Sequence, residues 1–511
     1  MKRYFLALFI CLSCITMTVY ANADSTFQVR GFHLDLRIQV MKMPALKAFV
    51  KSLSENGINT LLLEWEATYP FQQHRVISNQ YAYTREEVKS FIAYCNQLKI
   101  DVIPLQQSFG HVEYILRHSR YAHLREDDKD YSQVNPTKEK ECRELFADLY
   151  KDLIATHTSP YIHIGGDETM LLGHSPASRK KVDSLGMSRL YGDYIRMLCE
   201  LVVSLGKRPV VWADIALKYP DALKDLPKET IFLDWNYGWA LDRFGDHKRL
   251  QESGFEIWGA PAIRSGPDNY FLASWKTHFK NIETFIPQAR ALNYKGMIMT
   301  SWSTSGVYSP IFECYADPVE LKAIRRVYPQ VGFNLLIDAY FEALKTSKTL
   351  DTKSFVRQYC AKNYGFNSMQ SDAFLQAITT APYEVKDGKV TGASITIDAL
   401  RDSIAAARKT LYNLSLSTKS TAFQHYLLMA DIRSFYLTCE WVEAEMNKAD
   451  YCPEKRPQLL KTLIDLHPEK LDARFIALNR DTYYLSELKT ENEVRNTRYN
   501  HLKAILENRN D

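Results

Sequence analysis

Eight short apolar segments between residues 28 and 302 alternate with longer amphipathic ones, and this alternation limits the folds open to the chain. Short apolar runs that are each followed by polar or glycine-containing sequence and a helix-like stretch are typical of βα units. Eight such units close into an α/β fold of the (β/α)8 or TIM barrel type, which places its chemistry where the strands end. The predicted strands are 29–36, 58–64, 101–106, 161–165, 209–213, 230–235, 255–260 and 296–302.

The fourth predicted strand ends in segment 163–168, where His-Ile-Gly-Gly-Asp-Glu brings two glycines and two adjacent carboxylates after an apolar run. Glycine lets a backbone pass close to a bound ligand, and the two acids then reach one spot. Adjacent carboxylates repel, and this repulsion, with burial, is expected to hold one of them protonated near neutral pH. An exposed turn is the alternative. We favour an active site, because a loop is rarely preceded by such an apolar strand.

Three tryptophans also stand at or near the ends of predicted strands. Trp212, Trp235 and Trp302 belong to the fifth, sixth and eighth strands, beside acids, amides and serine. Indole faces stack on the apolar face of a pyranose, while carboxylates accept hydrogen bonds from its hydroxyls. A single tryptophan at a strand end is more often a core residue. Three on one rim of a barrel predict a sugar site.

The chain divides into three predicted parts. Residues 1–23 combine Lys2 and Arg3 with an apolar run and small residues at a cleavage spacing, as a secretory signal peptide does; a lipoprotein signal at Cys14 is the weaker alternative. Residues 24–340 form the catalytic barrel, and 341–511 show helical periodicity and form a C-terminal domain. This domain covers the barrel or provides a homodimer surface, in preference to independent binding. We expect an exported protein, periplasmic or extracellular.

Composition argues against several classes of protein. The formal net charge of +4 falls to +2 when Lys2 and Arg3 are removed, and no basic run with interleaved aromatics follows, so nucleic acid is not an expected partner. No apolar stretch after the signal peptide is long enough to span a membrane. Seven of the nine cysteines follow the signal peptide, scattered and without a CxxC pair. The cysteines therefore predict neither a CxxC metal framework nor a fully paired disulfide scaffold. We expect no metal site and no cofactor.

Segment 163–168 matches the signature His-x-Gly-Gly-Asp-Glu, and with it the chain resembles glycoside hydrolase family 20, the β-N-acetylhexosaminidases. The resemblance covers roughly residues 30–313. Many members place a small α/β domain before the barrel, whereas this chain begins its first strand almost directly after the predicted signal peptide, as the hexosaminidase D type does. The segments that are similar to that type are 102–116, 122–126, 135–136 and 167–173.

The resemblance implies a separate role for each acid. Glu168 is implied to be the general acid/base, and Asp167 to orient and stabilise the 2-acetamido group of the substrate. The acetamido carbonyl oxygen then attacks the anomeric carbon and gives an oxazolinium-like intermediate with net retention. Adjacent acids suit this scheme, because one serves the leaving oxygen and the other serves the acetamide.

The resemblance also implies ligands for the sugar. Arg30 is implied to hold hydroxyls of the terminal sugar, a structural salt bridge being the alternative, and Glu313 to accept from its outer hydroxyls. Trp302 and Glu313 lie eleven residues apart, which departs from the family's Trp-x-Glu spacing. The remaining implied residues are Tyr237, which binds the acetamido carbonyl; Trp212, Trp235 and Trp302, which wall the pocket; and His111 and His163, which orient the acids or fill the core.

The leading prediction is an exo-acting β-N-acetylhexosaminidase that removes terminal β-linked GalNAc or GlcNAc from glycans. A metal-dependent hydrolase would use His163, Asp167 and Glu168 as ligands, but the chain lacks the multi-histidine pattern that such a site draws on. A catalytically silent glycan-binding protein would keep the pocket without turnover, and the intact acid pair argues against it.

Overall fold

The computed structural model describes residues 27–245, 247–265, 273–303, 328–380 and 382–508. The predicted signal peptide and Glu313 lie outside these ranges. Among the described helices, none combines the length and the apolar character needed to cross a membrane.

Eight parallel strands close into a barrel, because β1 pairs with β2 on one side and with β9 on the other. All eight predicted strands are present, so the predicted (β/α)8 fold is confirmed. The strands of the barrel are β1 Val29–Asp35, β2 Thr60–Glu64, β3 Asp101–Leu105, β4 Tyr161–His163, β5 Arg208–Trp212, β6 Ile231–Trp235, β7 Glu256–Ala260 and β9 Gly296–Ser301. An additional strand, β8 Ala262–Arg264, pairs in parallel with the end of β9 and was not predicted.

The interior of the barrel is a packed core, because bulky side chains from successive strands fill it. Trp212 and Trp258 are its largest members, and both are fully buried. The other core residues inside the barrel are Leu62, Ile103, Leu105, Val210, Ile231, Leu233, Ala260 and Ile298. This packing closes the barrel from within, so that a ligand can enter only above the ends of the strands.

Nine described helices flank the strands up to β9 and shield their outer faces from water. A capping box starts α2: the Glu87 N–H donates to Thr84 Oγ1 over 3.1 Å, and the Thr84 N–H donates to a Glu87 carboxylate oxygen over 2.8 Å. The helices are α1 Met43–Glu55, α2 Arg85–Gln97, α3 Glu113–Leu116, α4 Glu139–Ile154, α5 Pro176–Leu185, α6 Met187–Ser204, α7 Asp214–Lys218, α8 His247–Glu252 and α9 Trp275–Ala291.

The region after the barrel is helical, as predicted. A small hairpin of Val385–Lys386 and Lys389–Val390 lies between two of its helices. The predicted boundary at residue 340 falls inside α10, where the Tyr340 hydroxyl donates to the Gly31 carbonyl over 2.8 Å. The helices are α10 Asn334–Lys345, α11 Thr352–Tyr364, α12 Ser368–Ile378, α13 Ile397–Ser415, α14 Phe423–Met446, α15 Arg456–Ile464, α16 Pro468–Asn479 and α17 Leu485–Glu507.

The C-terminal helices also hold the loop that follows β1. The carboxylate of Glu487, on α17, accepts from the N–H groups of Gln39 and Val40, the second over 2.7 Å. Met41 pairs with Tyr483 in an antiparallel bridge. This loop begins at the carboxyl end of β1, so the helical region fixes part of the rim on which the candidate site is built.

Candidate active site

The chain makes a tight turn after β4, and glycine is required there. Gly165 and Gly166 have φ values of 76° and 95°, which side chains rarely permit. A Cβ atom on Gly165 would lie 2.0 Å from the Gln107 side chain, and one on Gly166 would lie 3.1 Å from Ile195. The glycines therefore let the turn pack against its own neighbours. The expectation that they also bring the backbone close to a ligand stays a prediction.

Asp167 and Glu168 leave this turn side by side and share one histidine. His111 Nε2 lies 3.4 Å from Asp167 Oδ2 and 3.4 Å from Glu168 Oε2. The Asp167 side chain is 9% exposed and that of Glu168 is 53% exposed. One acid therefore faces the interior of the site and the other faces its opening, as separate roles require.

The charges of these groups differ from the prediction. Burial opposes a charge on the His111 ring, but Asp167, Glu168 and Glu113 outweigh it and raise the pKa of His111 well above its ordinary value. The hydrogen bond from His111 in turn lowers the pKa of Glu168. In the free protein His111 therefore holds the proton and Glu168 is ionised. The repulsion between Asp167 and Glu168 does not keep Glu168 protonated, as the sequence had suggested for one of the two acids.

Asp214 is a third acid of the site, at the first position of α7 just after β5. It is buried, and its Oδ2 accepts from the Glu168 backbone N–H over 3.2 Å. Glu168 has a φ of 44°, unusual for a residue with a side chain, and this contact helps to hold it there. Burial, and next the charge of Asp167, raise the pKa of Asp214 to about 7.

The predicted tryptophans converge at this end of the barrel. The Trp212 ring lies at the base and packs against Trp302, with ring centroids 5.6 Å apart. Trp302 Nε1 donates to the Tyr237 hydroxyl over 2.6 Å, and the Tyr237 ring lies 5.0 Å from that of Trp235. These four rings form a continuous aromatic wall, as the sequence predicted for a sugar site.

The wall and the acids enclose one cavity of about 690 Å³. Its volume and its mixed polar and aromatic lining suit a small polar ligand. The lining residues are Arg37, His111, Asp167, Glu168, Met170, Trp212, Asp214, Ile215, Lys218, Trp235, Tyr237, Trp239, Arg243, Phe244, Ser265 and Trp302.

The arginine that β1 brings to the cavity is Arg37, and the prediction for Arg30 is wrong. Arg30 Nε donates to the Gly57 carbonyl over 2.8 Å, at the amino-terminal end of the barrel and away from the cavity. Arg37 follows the carboxyl end of β1 and lines the cavity, where it pairs with Glu66 over 2.7 Å and with Glu64 over 3.1 Å. β1 is part of the barrel wall and runs from one end of the barrel to the other, so Arg30 and Arg37 lie at opposite ends of the barrel.

His163 does not orient the acids. It is fully buried in β4, its Nδ1 accepts from the Gly165 N–H over 3.0 Å, and its ring lies 4.5 Å from that of Trp212. Burial, and next the nearby His33, lower the pKa of His163 to about 3, so the ring is neutral. It is a core residue beneath the site, which was the alternative interpretation. Glu313 lies outside the described residues, so its predicted role stays a prediction.

These observations agree with the comparison to known families. The catalytic domain of Glycosyl hydrolase family 20 matches residues 27–306, more than half of the chain. The chain belongs to glycosyl hydrolase family 20. It is accordingly a β-N-acetylhexosaminidase-type glycoside hydrolase, which confirms the predicted enzyme class and the predicted family.

Named relatives support the same assignment. The chain is 28% identical to human Hexosaminidase D over 370 residues, covering 68% of this chain and 75% of that protein. It is 27% identical to the bovine Hexosaminidase D over 313 residues, covering 56% of this chain and 87% of that protein. A β-N-acetylhexosaminidase structure from Bacteroides fragilis superposes with a TM-score of 0.50 at 18% identity, over 66% of this chain and 69% of that one. This last likeness concerns the fold.

Several cavity residues of this family 20 enzyme were not predicted as site residues. Arg37 and Asp214 directly follow predicted strands, and their position at carboxyl ends was the available signal. Trp239, Arg243 and Phe244 belong to the loop after β6, in which the Arg243 guanidinium lies 4.2 Å from the Trp239 ring centroid. Loop residues carry no periodic pattern, so only the density of aromatic residues there pointed to them.

Proposed function

We propose that the enzyme is exo-acting and removes terminal β-linked GalNAc or GlcNAc by substrate-assisted, retaining catalysis. The observation that carries this proposal is that Asp167 and Glu168 contact the same His111 nitrogen. A double displacement with an enzyme nucleophile needs two carboxyl groups about 5 Å apart on opposite sides of the bond. Two adjacent acids on one turn suit a reaction in which the substrate supplies the nucleophile.

In the proposed first step, the acetamido carbonyl oxygen attacks the anomeric carbon as the glycosidic C–O bond breaks. Glu168, having taken up a proton when substrate displaces water, gives it to the leaving oxygen, with His111 as the adjacent proton reservoir. Asp167 accepts from the acetamido N–H and offsets the positive charge that develops on the ring. In the second step Glu168 takes a proton from the water that opens the cyclic intermediate.

The other cavity residues hold the sugar in this proposal. Arg37 takes the place that the family resemblance gave to Arg30, because its guanidinium suits two neighbouring hydroxyls. Tyr237 accepts the Trp302 N–H, which directs its own proton away from Trp302 and toward the acetamido carbonyl. The buried Trp212 closes the base of the cavity, which supports exo action on a chain end.

The test compares hydrolysis of chromogenic β-GalNAc, β-GlcNAc and β-glucoside by the purified enzyme, with a thiazoline mimic of the cyclised intermediate as inhibitor. We expect turnover of the N-acetyl sugars only, and strong inhibition by the thiazoline. Comparable hydrolysis of the β-glucoside, or indifference to the thiazoline, would refute substrate assistance. Tight binding of an N-acetylhexosamine without turnover would favour the glycan-binding alternative.

The metal-dependent alternative receives no support from the described residues. His163, one of its three ligands, contacts Trp212 and the Gly165 N–H instead of joining the acids. Within the described ranges, no three histidine, cysteine or acidic side chains are arranged to hold an ion. Loss of activity in a chelator, restored by added metal, would nevertheless revive it.

We also propose export, on the strength of the signal-like sequence at residues 1–23. Expression of the full chain with fractionation, followed by N-terminal sequencing of the mature protein, tests this. Recovery of an uncleaved chain in the cytoplasm would contradict it.

A further inference from the structure

The cavity has a buried inner part and an exposed outer part, and the two differ in charge. Trp212 and Asp214 of the inner part are buried, whereas Met170 of the outer part is 79% exposed. Two exposed cations, Lys218 and Arg243, also line the outer part. The catalytic proposal accounts for none of these three exposed residues.

The outer part is the side on which the leaving group lies, and this step rests on the proposed function. Glu168 protonates the leaving oxygen in that proposal, and its side chain is the more exposed of the two acids. Arg243 lies near enough that its charge contributes to the lowered pKa of Glu168. The residue that precedes the terminal sugar in a glycan is therefore placed beside Arg243 and Lys218.

The immediate partners of these two cations are aromatic rings. Within the described part of the chain, Arg243 contacts the rings of Trp239 and Phe244, Lys218 lies over the Tyr219 ring, and neither forms an ion pair. Some other cations of the barrel surface are paired with acids: Arg189 with Asp193 and Asp225, Arg208 with Glu256, and Lys224 with Asp221. Unpaired cations in a ligand cavity favour an anionic ligand.

We infer that the outer part of the cavity is a subsite for an acidic sugar in the leaving-group position, recognised by Arg243 and Lys218. The shared chemistry is an anionic oxygen group, which either a uronic acid carboxylate or a sulfate ester supplies. Trp239 holds the Arg243 guanidinium in place through the contact of 4.2 Å, so that its charge is presented at a defined point. Met170 adds an exposed apolar side chain to the lining of the same cavity.

The test uses matched disaccharides in which the same N-acetylhexosamine is β-linked to glucose, to glucuronic acid or to a glucose sulfate ester. The ratio of kcat/KM for each acidic disaccharide to that for the neutral one is measured in the wild type, Arg243→Gln, Lys218→Gln and the double variant. We expect the wild type to favour at least one acidic disaccharide by about fivefold, the effect of an exposed charge pair, and the double variant to lose this preference. The acidic disaccharide that the wild type prefers shows whether the subsite recognises a carboxylate or a sulfate.

Two controls keep the result specific. Arg249→Gln removes an exposed cation of α8 that lies outside the cavity, and its ratio should equal that of the wild type. Added salt should reduce the wild-type preference and leave the double variant unchanged, because it screens exposed charges. A ratio of one in the wild type, or a preference that survives in the double variant, would overturn the inference.

A binding experiment separates this inference from the proposed function. Calorimetry on Glu168→Gln measures the affinity for the same three disaccharides without turnover. A preference for an acidic disaccharide that disappears with Arg243→Gln supports the subsite even if no disaccharide is hydrolysed. Hydrolysis of all three at equal rates, with equal affinities, would refute the subsite and leave the proposed function intact.

Discussion

The two ends of the barrel are built in different ways. At the amino-terminal end, polar side chains bind other groups of the protein directly: Arg30 donates to the Gly57 carbonyl over 2.8 Å, and Arg208 pairs with Glu256 over 2.9 Å. Positive φ values at this end occur just past the ends of helices, at Lys99 and Asn293. At the carboxyl-terminal end, Glu66, His111 and Glu168 have positive φ values, between 44° and 54°, in or beside the candidate site. Strained backbone of this kind persists only where the surrounding structure enforces it.

Hydrogen bonding shows the same contrast. At the carboxyl-terminal end, Asp167 Oδ1 and Glu66 Oε2 are buried without a hydrogen-bond partner among the described residues. Leaving such atoms unsatisfied costs folding free energy, which a bound ligand can restore. The amino-terminal end therefore serves stability, and the carboxyl-terminal end gives up stability to prepare a site for ligand.

The largest effect should follow from substitution of the two acids at the carboxyl-terminal end. Glu168→Gln keeps the shape of the side chain but supplies no transferable proton, and we expect kcat for a substrate with a poor leaving group to fall by about 10²- to 10⁴-fold. Asp167→Asn should impair activated substrates as well, because the acetamide loses its orienting charge. Steady-state kinetics on both kinds of leaving group check this, and full activity in either variant would contradict the mechanism.

The next prediction compares the two arginines at opposite ends of β1. Arg37→Gln should lower kcat/KM at least about tenfold, because a charged hydrogen bond to the sugar is lost. Arg30→Gln should keep kcat/KM within about twofold and lower the free energy of unfolding by about 1 kcal/mol, the value of a typical hydrogen bond. Kinetics and urea unfolding on both variants give the answer. The reverse pattern would return Arg30 to the site and break the contrast between the two ends.

A smaller effect is expected from His111, in the pH dependence of activity. His111 lowers the pKa of Glu168 by hydrogen bond and charge, so His111→Gln should raise that pKa while a donor is retained. A general acid acts in its protonated form, so the alkaline limb of kcat/KM should move to higher pH. The pH profile of wild type and variant measures this. An unmoved limb, or one displaced to lower pH, would show that His111 does not control Glu168.

The strands of this fold were predictable because each is buried on both faces and stands out as an apolar run. The acids were predictable because their motif is local in sequence. Arg37 and Asp214 depend on which end of a strand faces the cavity and on which strands are neighbours, and both are properties of the closed barrel. Arg37 was not predicted, although the rule that barrel sites lie at the carboxyl ends of strands points to it; the family resemblance drew the assignment to Arg30.

The protonation of the site could not be predicted from the adjacency of Asp167 and Glu168. It depends on His111, which reaches the acids from the loop after β3 and reverses the expected shift. A pKa is set by every charge and dipole around a group, including those brought in by distant parts of the chain. The sequence therefore identified the two adjacent acids of the candidate site but not the histidine between them that holds the proton.

Substitution of Asp214 is expected to have the smallest effect on catalysis. It also measures directly the stability that is given up at the carboxyl-terminal end. Its pKa is raised from 3.8 to about 7 in the folded protein, so its ionisation disfavours folding increasingly as pH rises through that range, and the full penalty applies above it. Asp214→Asn keeps an oxygen that accepts the Glu168 N–H and removes the ionisation. Urea unfolding near pH 4 should show little difference between wild type and variant, whereas near pH 8 the variant should be more stable by between about 1 and 4 kcal/mol.

Asp183→Asn, on the exposed surface of α5, is the matched control and should show no such dependence. If Asp214→Asn is equally or less stable than the wild type at the higher pH, burial of this acid is not a cost, and the contrast between the two ends of the barrel is one of geometry alone.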